Sequence, residues 1–363
     1  MTAADVLVVG GGPGGSSVAW RLARAGLRVR VLDAARFPRV KLCAGWVTHA
    51  ALHDLGLDAA SYPHTLQPFA AVTLAVGADE HETPWDRTAS YGIVRAEFDT
   101  SLLRRAAAAG AVVHEGVRVR EVRAMPGGVE VTSDGGTWQA PLVVGAGGHG
   151  CPVARALGGT RATALVVVTR ESETRVGADR LRTLTRRHGL PELFAEPDFH
   201  GYGWYFTKGD FLNVGIGALG GLPIRERLAH LLARLRADGR LPASLELTPF
   251  RGHAYSVRHS RPRHLAGECF VLVGDAAGLA HDLSGEGIGP AVRSGLLAAE
   301  AILAGQPVSY AARVDAAFGR PAGFLARLLG HTPAILLTST ARLACTRPGL
   351  RRRLVFEGAF GMG

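Results

Sequence analysis

Lysine is almost missing from this chain. Lys41 and Lys208 are its only two, and every other basic side chain, of 41 in all, is arginine. These arginines are spread along the sequence without a nucleic-acid-binding motif, so the net charge of +10 reads as compositional bias and no nucleic-acid partner is expected. Cysteine is scarce as well. Cys43, Cys151, Cys269 and Cys345 form no C-x-x-C pair, which excludes a disulfide framework and a cysteine zinc site and suits a reducing cytoplasm. No histidine spacing asks for a metal, so none is expected. No apolar run approaches the ~18 residues that span a bilayer. Met1-Thr2-Ala3-Ala4-Asp5 lacks the basic start of a signal peptide. A cytoplasmic location is therefore expected. Arg351-Arg352-Arg353, in the tail from Arg320, is the only local basic cluster, and it keeps peripheral contact with the inner membrane surface in view. There is no internal repeat and no low-complexity linker.

What the chain does have is apolar mass. At 363 residues and 47% hydrophobic it can bury a sizeable core, and at ~150 residues per domain it suggests about two domains. The β-branched run Val6–Val9 precedes a helical pattern over Ser16–Ala25, and Leu27–Asp33 then alternates as a second strand. Such a βαβ unit builds a parallel sheet by right-handed crossover. Helical patterns follow at His49–Leu55 and Glu97–Ala109, then strand-like runs at 111–114, 117–122, 129–133 and 142–144. Extended patterns at 163–170, 202–207 and 211–218 read as an antiparallel sheet of their own. The chain returns to a buried strand at Phe270 and to an Ala/Gly-rich helix over 287–304.

A strand-to-helix turn needs glycine where φ is positive, where backbone approaches a pyrophosphate and where helix meets strand. Gly10, Gly12 and Gly15, with Pro13 and Gly14 between, meet those needs. The helix start then offers amides and a partial positive charge to phosphate. Asp33 ends the second strand, where an acid bonds a ribose 2′-hydroxyl, which favours FAD or NAD over NADP. Gly274-Asp275 follows a buried strand, so its carboxylate suits a polyol hydroxyl. Gly285-Glu286-Gly287-Ile288-Gly289 opens the alanine-rich helix, with amides suited to the delocalised anion of a reduced flavin. Together these choose FAD.

On these residues the chain resembles the p-hydroxybenzoate-hydroxylase-type flavoproteins and, within them, the geranylgeranyl reductase family, from about Asp5 to about Ala304. Arg36-Phe-Pro-Arg-Val-Lys41-Leu-Cys43-Ala44-Gly45 is similar to the family's Lys-x-Cys-Gly segment beside the flavin. Tyr202-Gly-Trp204-Tyr-Phe206-Thr-Lys208-Gly209, followed by Asn213-Val-Gly215-Ile-Gly217, is similar to its Tyr-x-Trp-x-Phe-Pro substrate sheet. Arg95-Ala-Glu-Phe98-Asp99 matches its Arg-x-x-Phe-Asp helix start, whose arginine lies near FAD. The resemblance implies an α/β fold: a Rossmann-like FAD-binding domain (1–75, 90–160 and 262–305), an inserted antiparallel β-sheet substrate domain (76–89 and 161–261) and a helical C-terminal tail (306–363). It departs at Gly147, where the family has an acid, at Cys151 for serine, at Ala44 for glycine, at Thr207 for proline, and at His281-Asp282.

Flavin carries the redox chemistry, so the protein's part is binding, orientation and electrostatics. Cys43 is a candidate proton donor or simply a small buried hydrophobe. Lys41 is a candidate for stabilising negative charge, and His281 for proton transfer. Tyr202, Trp204 and Phe206 alternate onto one strand face and line either an apolar substrate tunnel or a plain aromatic core. The resemblance favours the tunnel. The expectation is an FAD-dependent oxidoreductase that reduces carbon–carbon double bonds of a prenyl or other apolar substrate, fed by NAD(P)H or a ferredoxin-like protein. The alternatives are a monooxygenase or halogenase-like enzyme working through a flavin hydroperoxide, and a non-catalytic flavin or lipid binder.

Overall fold

The computed structural model describes residues 4–159, 166–185, 187–258, 264–319 and 334–362. The expected strand residues 163–165, the boundaries at 160, 161 and 262, and Arg320 lie outside the described residues.

Val6–Val9 is buried along its whole length, as a β-branched strand covered on both faces must be. It lies at the centre of a five-stranded parallel sheet ordered Phe270–Leu272, Leu142–Gly145, Val6–Val9, Val29–Asp33, Val112–Glu115. The return of the chain at Phe270 thus completes the sheet begun at Val6. Between these strands runs the Pro13–Arg24 helix, started by proline at its first turn and burying Val18, Ala19 and Leu22. It begins three residues before the apolar pattern because glycines carry no period. The Ile288–Leu303 helix packs on it so closely that a Cβ on Gly295 would stand 2.5 Å from the Gly14 carbonyl oxygen.

The second layer is a seven-stranded sheet ordered Arg251–Ser256, Val166–Arg175, Phe211–Leu219, Gly201–Lys208, Glu192–Ala195, Ala71–Val76, Asp79–Pro84. It is antiparallel except where Glu192–Ala195 runs parallel to Ala71–Val76. The chain therefore enters this sheet at Ala71, ahead of the expected start at residue 76. One face carries Tyr205, Leu212, Val214 and Ile216 under the Ile224–Ala237 helix. The other face looks toward the parallel sheet and carries the aromatic residues of the site. Two three-stranded sheets complete the fold, Val119–Met125 with Gly128–Ser133 and Gly136–Ala140, and Trp46–Thr48 with Ser90–Ile93 and Leu66–Phe69.

The tail returns to this second layer. After the Ala334–Thr346 helix, a wide helical turn over Arg351–Ala359 buries Phe356 beside Trp85. Arg351 is itself buried, donating to Thr83 Oγ1 at 2.8 Å and to the carbonyls of Glu82, Cys345 and Thr346. The basic cluster thus has one member built into the fold. Among the described residues, no helix is long and apolar enough to cross a membrane, and no group of three or more His, Cys, Asp or Glu side chains is placed to hold a metal.

Candidate functional site

A cavity of about 740 Å³ lies where the carboxyl ends of the parallel strands meet the aromatic face of the seven-stranded sheet. The glycine turn forms one end. Gly10 has φ +108°, and a Cβ on it would stand 2.4 Å from the Ala146 carbonyl oxygen; one on Gly15 would stand 1.9 Å from the Gly10 oxygen. With side chains shut out, the Pro13–Arg24 helix starts at the cavity wall, capped by Gly12 without a side-chain bond and with no acid in its first turn. Its free amides and positive end suit an anion. Asp33 sits behind, accepting from the Gly11 amide at 2.7 Å and the Ala35 amide at 2.8 Å.

A second helix start faces the same space. Gly287 caps Ile288–Leu303, again with no side-chain cap and no acid in the first turn. Gly285 has φ +67°, and a Cβ there would stand 1.9 Å from the Tyr255 hydroxyl. Glu286 Oε1 accepts from the Gly289 amide at 2.7 Å, and exclusion from water pushes its carboxyl up to about 7. Asp275 lines the wall and has Lys41 Nζ 3.6 Å from its Oδ2. An uncapped helix start with a ribose-type acid behind it, and a second helix start whose Gly289 amide Glu286 holds, fit FAD: Gly12, Pro13 and Gly14 would hold the pyrophosphate, and Gly285, Gly287 and Ile288 the flavin's electron-rich edge.

The Lys41–Gly45 loop forms a third wall. The Gly45 amide donates to Cys43 Sγ at 3.3 Å. Behind it, buried Arg95 makes two 2.7 Å bonds to Asp99, and Arg39 adds a 2.9 Å contact to the same carboxylate. Burial works against the charge on Arg95, but Asp99 and Cys43 outweigh it and hold the guanidinium above its usual range. Lys208 has no exposed surface; its Nζ donates to the Ala44 carbonyl at 2.8 Å and lies 2.5 Å from Glu173 Oε2. Both lysines of the chain thus serve this site.

The sheet supplies the fourth wall, with Thr169, Glu171, Tyr202, Trp204, His253 and Tyr255. The Tyr202 hydroxyl donates to the Ser284 carbonyl, and Trp204 Nε1 donates to Asn213 Oδ1 at 2.6 Å. Gly215 makes room for the indole: a Cβ on it would stand 2.3 Å from Trp204 Cζ2. Burial, with Lys41 nearby, holds His253 below its usual range. Phe360, from the tail, closes this wall with ring centroids 5.7 Å from both Tyr202 and Trp46.

Of the residues expected from sequence, Gly12, Pro13, Gly14, Lys41, Cys43, Ala44, Arg95, Tyr202, Trp204, Gly274, Asp275, Gly285, Gly287 and Ile288 come together around this cavity. Gly10 and Gly15 shape the turn beneath it. Gly45, with φ +69°, lies over Lys208. Arg36 packs over Gly116, away from the wall. Phe206 continues the strand face past the cavity into the core, between Trp46 and Phe69. His281 does not join the wall either: its amide donates to the Glu286 carbonyl at 2.9 Å and its Nδ1 accepts from Leu283, so it shapes the loop. Glu171, Lys208, His253, Tyr255 and Phe360 went unassigned from sequence; only Lys208 carried a signal, as the second of two lysines.

The sequence profile of the FAD binding domain family matches residues 3–302. The chain is 33% identical to menaquinone reductase of Mycolicibacterium smegmatis over 333 residues, covering 85% of this chain and 78% of that one. It is 31% identical to the chloroplastic geranylgeranyl diphosphate reductase of Oryza sativa over 323 residues, covering 83% and 66%. The chain belongs to the geranylgeranyl reductase family. It is an FAD-dependent oxidoreductase. A geranylgeranyl bacteriochlorophyll reductase-like protein of Thermoplasma acidophilum shares the fold, with a TM-score of 0.79 at 21% identity over 99% of this chain and 97% of that one.

Three of the departures from this geranylgeranyl reductase family's pattern, at Gly147, Cys151 and Thr207, have a local accommodation. Cys151 is fully buried, and its Sγ stands 3.3 Å from where a Cβ on Gly147 would be, so the two changes pack on each other. Thr207 uses the hydroxyl that proline lacks to accept from the Gly189 amide at 2.8 Å.

Proposed function

We propose that this protein reduces carbon–carbon double bonds of a prenyl or similarly apolar substrate. One observation carries the reading: the same cavity joins two anion-seeking helix starts to an apolar wall of Trp46, Leu193, Tyr202, Trp204 and Phe360. FAD, when bound, supplies the hydride at N5. The chain's own residues do the rest. The aromatic wall takes the apolar chain out of water. Lys41 and Asp275 border the space between wall and helix start, and Arg95 stiffens the Cys43 loop from behind. The names of the two reductase relatives agree with such a substrate.

Two apolar side chains on loops beside the cavity, Val40 (73% exposed) and Leu283 (76% exposed), support entry of the substrate from a membrane surface. Electrons arrive from NAD(P)H or a ferredoxin-like protein; rapid mixing of the oxidised holoprotein with each donor distinguishes them. The reading is tested by incubating reduced holoprotein with geranylgeranyl diphosphate without oxygen and weighing the product. A gain of one hydrogen pair per double bond supports it. Product that forms only with oxygen and carries an oxygen atom supports the flavin-hydroperoxide alternative instead.

A further inference from the structure

Reducing a carbon–carbon double bond takes a proton as well as a hydride, and His281, turned onto its own loop, does not reach the cavity to give it. We propose that Glu171, on the sheet wall, is the acid that donates it to the substrate. The inference rests on the reading of the substrate as a prenyl alkene.

Glu171 lines the cavity yet is only 3% exposed. Its Cβ abuts the gap left by Gly215, the same gap that holds the Trp204 indole, so the acid stands beside the apolar wall. Lys208, Arg95 and Lys41 are each engaged elsewhere. Lys208 holds Glu173 at 2.5 Å and the Ala44 carbonyl at 2.8 Å; Arg95 spends its fork on Asp99; Lys41 lies against Asp275. Beside it are Cys43, His253, Tyr255 and, opposite it on the neighbouring strand, the exposed Arg251; His253 is held toward its neutral form by burial. The Lys208 and Arg95 charges and the Cys43 backbone favour the ionised form of Glu171, but burial outweighs them. Of the two carboxylates near the Lys208 ammonium, Glu173 is the one in contact with it, at 2.5 Å. Burial raises the Glu171 carboxyl to about 7 accordingly.

The step balances. Reduced flavin gives two electrons and one proton as hydride to one carbon; the Glu171 O–H bond breaks, and a C–H bond forms at the other carbon. Water then reprotonates the carboxylate. Cys43 is the competing donor, but its Sγ accepts from the Gly45 amide and adjoins the Arg95 cation.

The test compares wild type, Glu171→Gln and Glu171→Asp as FAD-loaded protein, with flavin content and melting temperature checked first. Infrared difference spectra of oxidised wild type should show two protonated carboxyl bands that disappear near pH 7, from Glu171 and Glu286, of which Glu171→Gln removes one and Glu286→Gln the other. Photoreduced Glu171→Gln should be reoxidised by geranylgeranyl diphosphate about 10²–10⁴-fold more slowly than wild type, with partial recovery in Glu171→Asp. Reduction of its flavin by dithionite should be unchanged. Wild-type turnover with an equally fast Glu171→Gln, or a carboxyl spectrum unchanged in that variant, would overturn the proposal alone. A wild type that reduces no prenyl compound overturns the substrate reading and the proton's acceptor with it; the infrared titration still reports whether Glu171 holds a proton.

Discussion

Lys208 donates to the Ala44 carbonyl at 2.8 Å, tying the seven-stranded sheet to the loop that carries Lys41 and Cys43. The ammonium has no exposed surface and its counter-ion is Glu173. Removing one partner of a buried pair costs about 3–5 kcal/mol, because the other is left without compensation. Lys208→Met should therefore lower stability by that order in denaturant unfolding, and Lys208→Met with Glu173→Gln should recover part of the loss. Equal stability of the single variant and wild type would show that the tie carries nothing.

Gly215 matters for the room it leaves. A methyl there meets the Trp204 ring at 2.3 Å and the Glu171 Cβ at 2.8 Å. Gly215→Ala should lower stability by about 1–3 kcal/mol through overpacking. It should also raise KM for the apolar substrate more than it alters FAD affinity, as read by flavin fluorescence and steady-state kinetics.

The glycine turn, Asp33, the parallel sheet and the aromatic strand were legible because each has a local period or a fixed spacing. Glu171 was not. A single acid in a strand carries no pattern, and its environment is made by Lys208, Trp204 and Cys43, which are far apart in sequence. Phe360 was hidden for the same reason, reaching Tyr202 from 158 residues away along the chain. Conversely, alternation placed Phe206 on the face of Tyr202 and Trp204 without revealing where along that face the cavity ends. His281 stood close to the site in sequence, but a tight loop turns its ring onto its own backbone.

Glu286 gives the stability a definite pH dependence. Burial raises its folded-state pKa to about 7 from 4.5, so the folded protein keeps a proton that the unfolded chain gives up. Its contribution is complete below about pH 4.5 and is lost as pH rises toward 7, after which it stays level. The difference in unfolding free energy between wild type and Glu286→Gln, measured from about pH 4 to about pH 8, should fall through that window. A difference that does not change with pH contradicts the assignment.

Exposed Leu283 and Val40 should matter only where a membrane is present. Leu283→Asp and Val40→Asp should reduce sedimentation with anionic liposomes while leaving flavin content unchanged. Equal partitioning of both variants and wild type would remove the membrane from the account.

The central claim is that this cavity passes hydride to a prenyl double bond. Its most direct test is stopped-flow absorbance of photoreduced, oxygen-free holoprotein mixed with geranylgeranyl diphosphate. The account expects the oxidised flavin bands to return as substrate is consumed, with product more saturated by one hydrogen pair per flavin reoxidised. Flavin that stays reduced with every polyprenyl compound offered, and reoxidises only when oxygen enters, would contradict it.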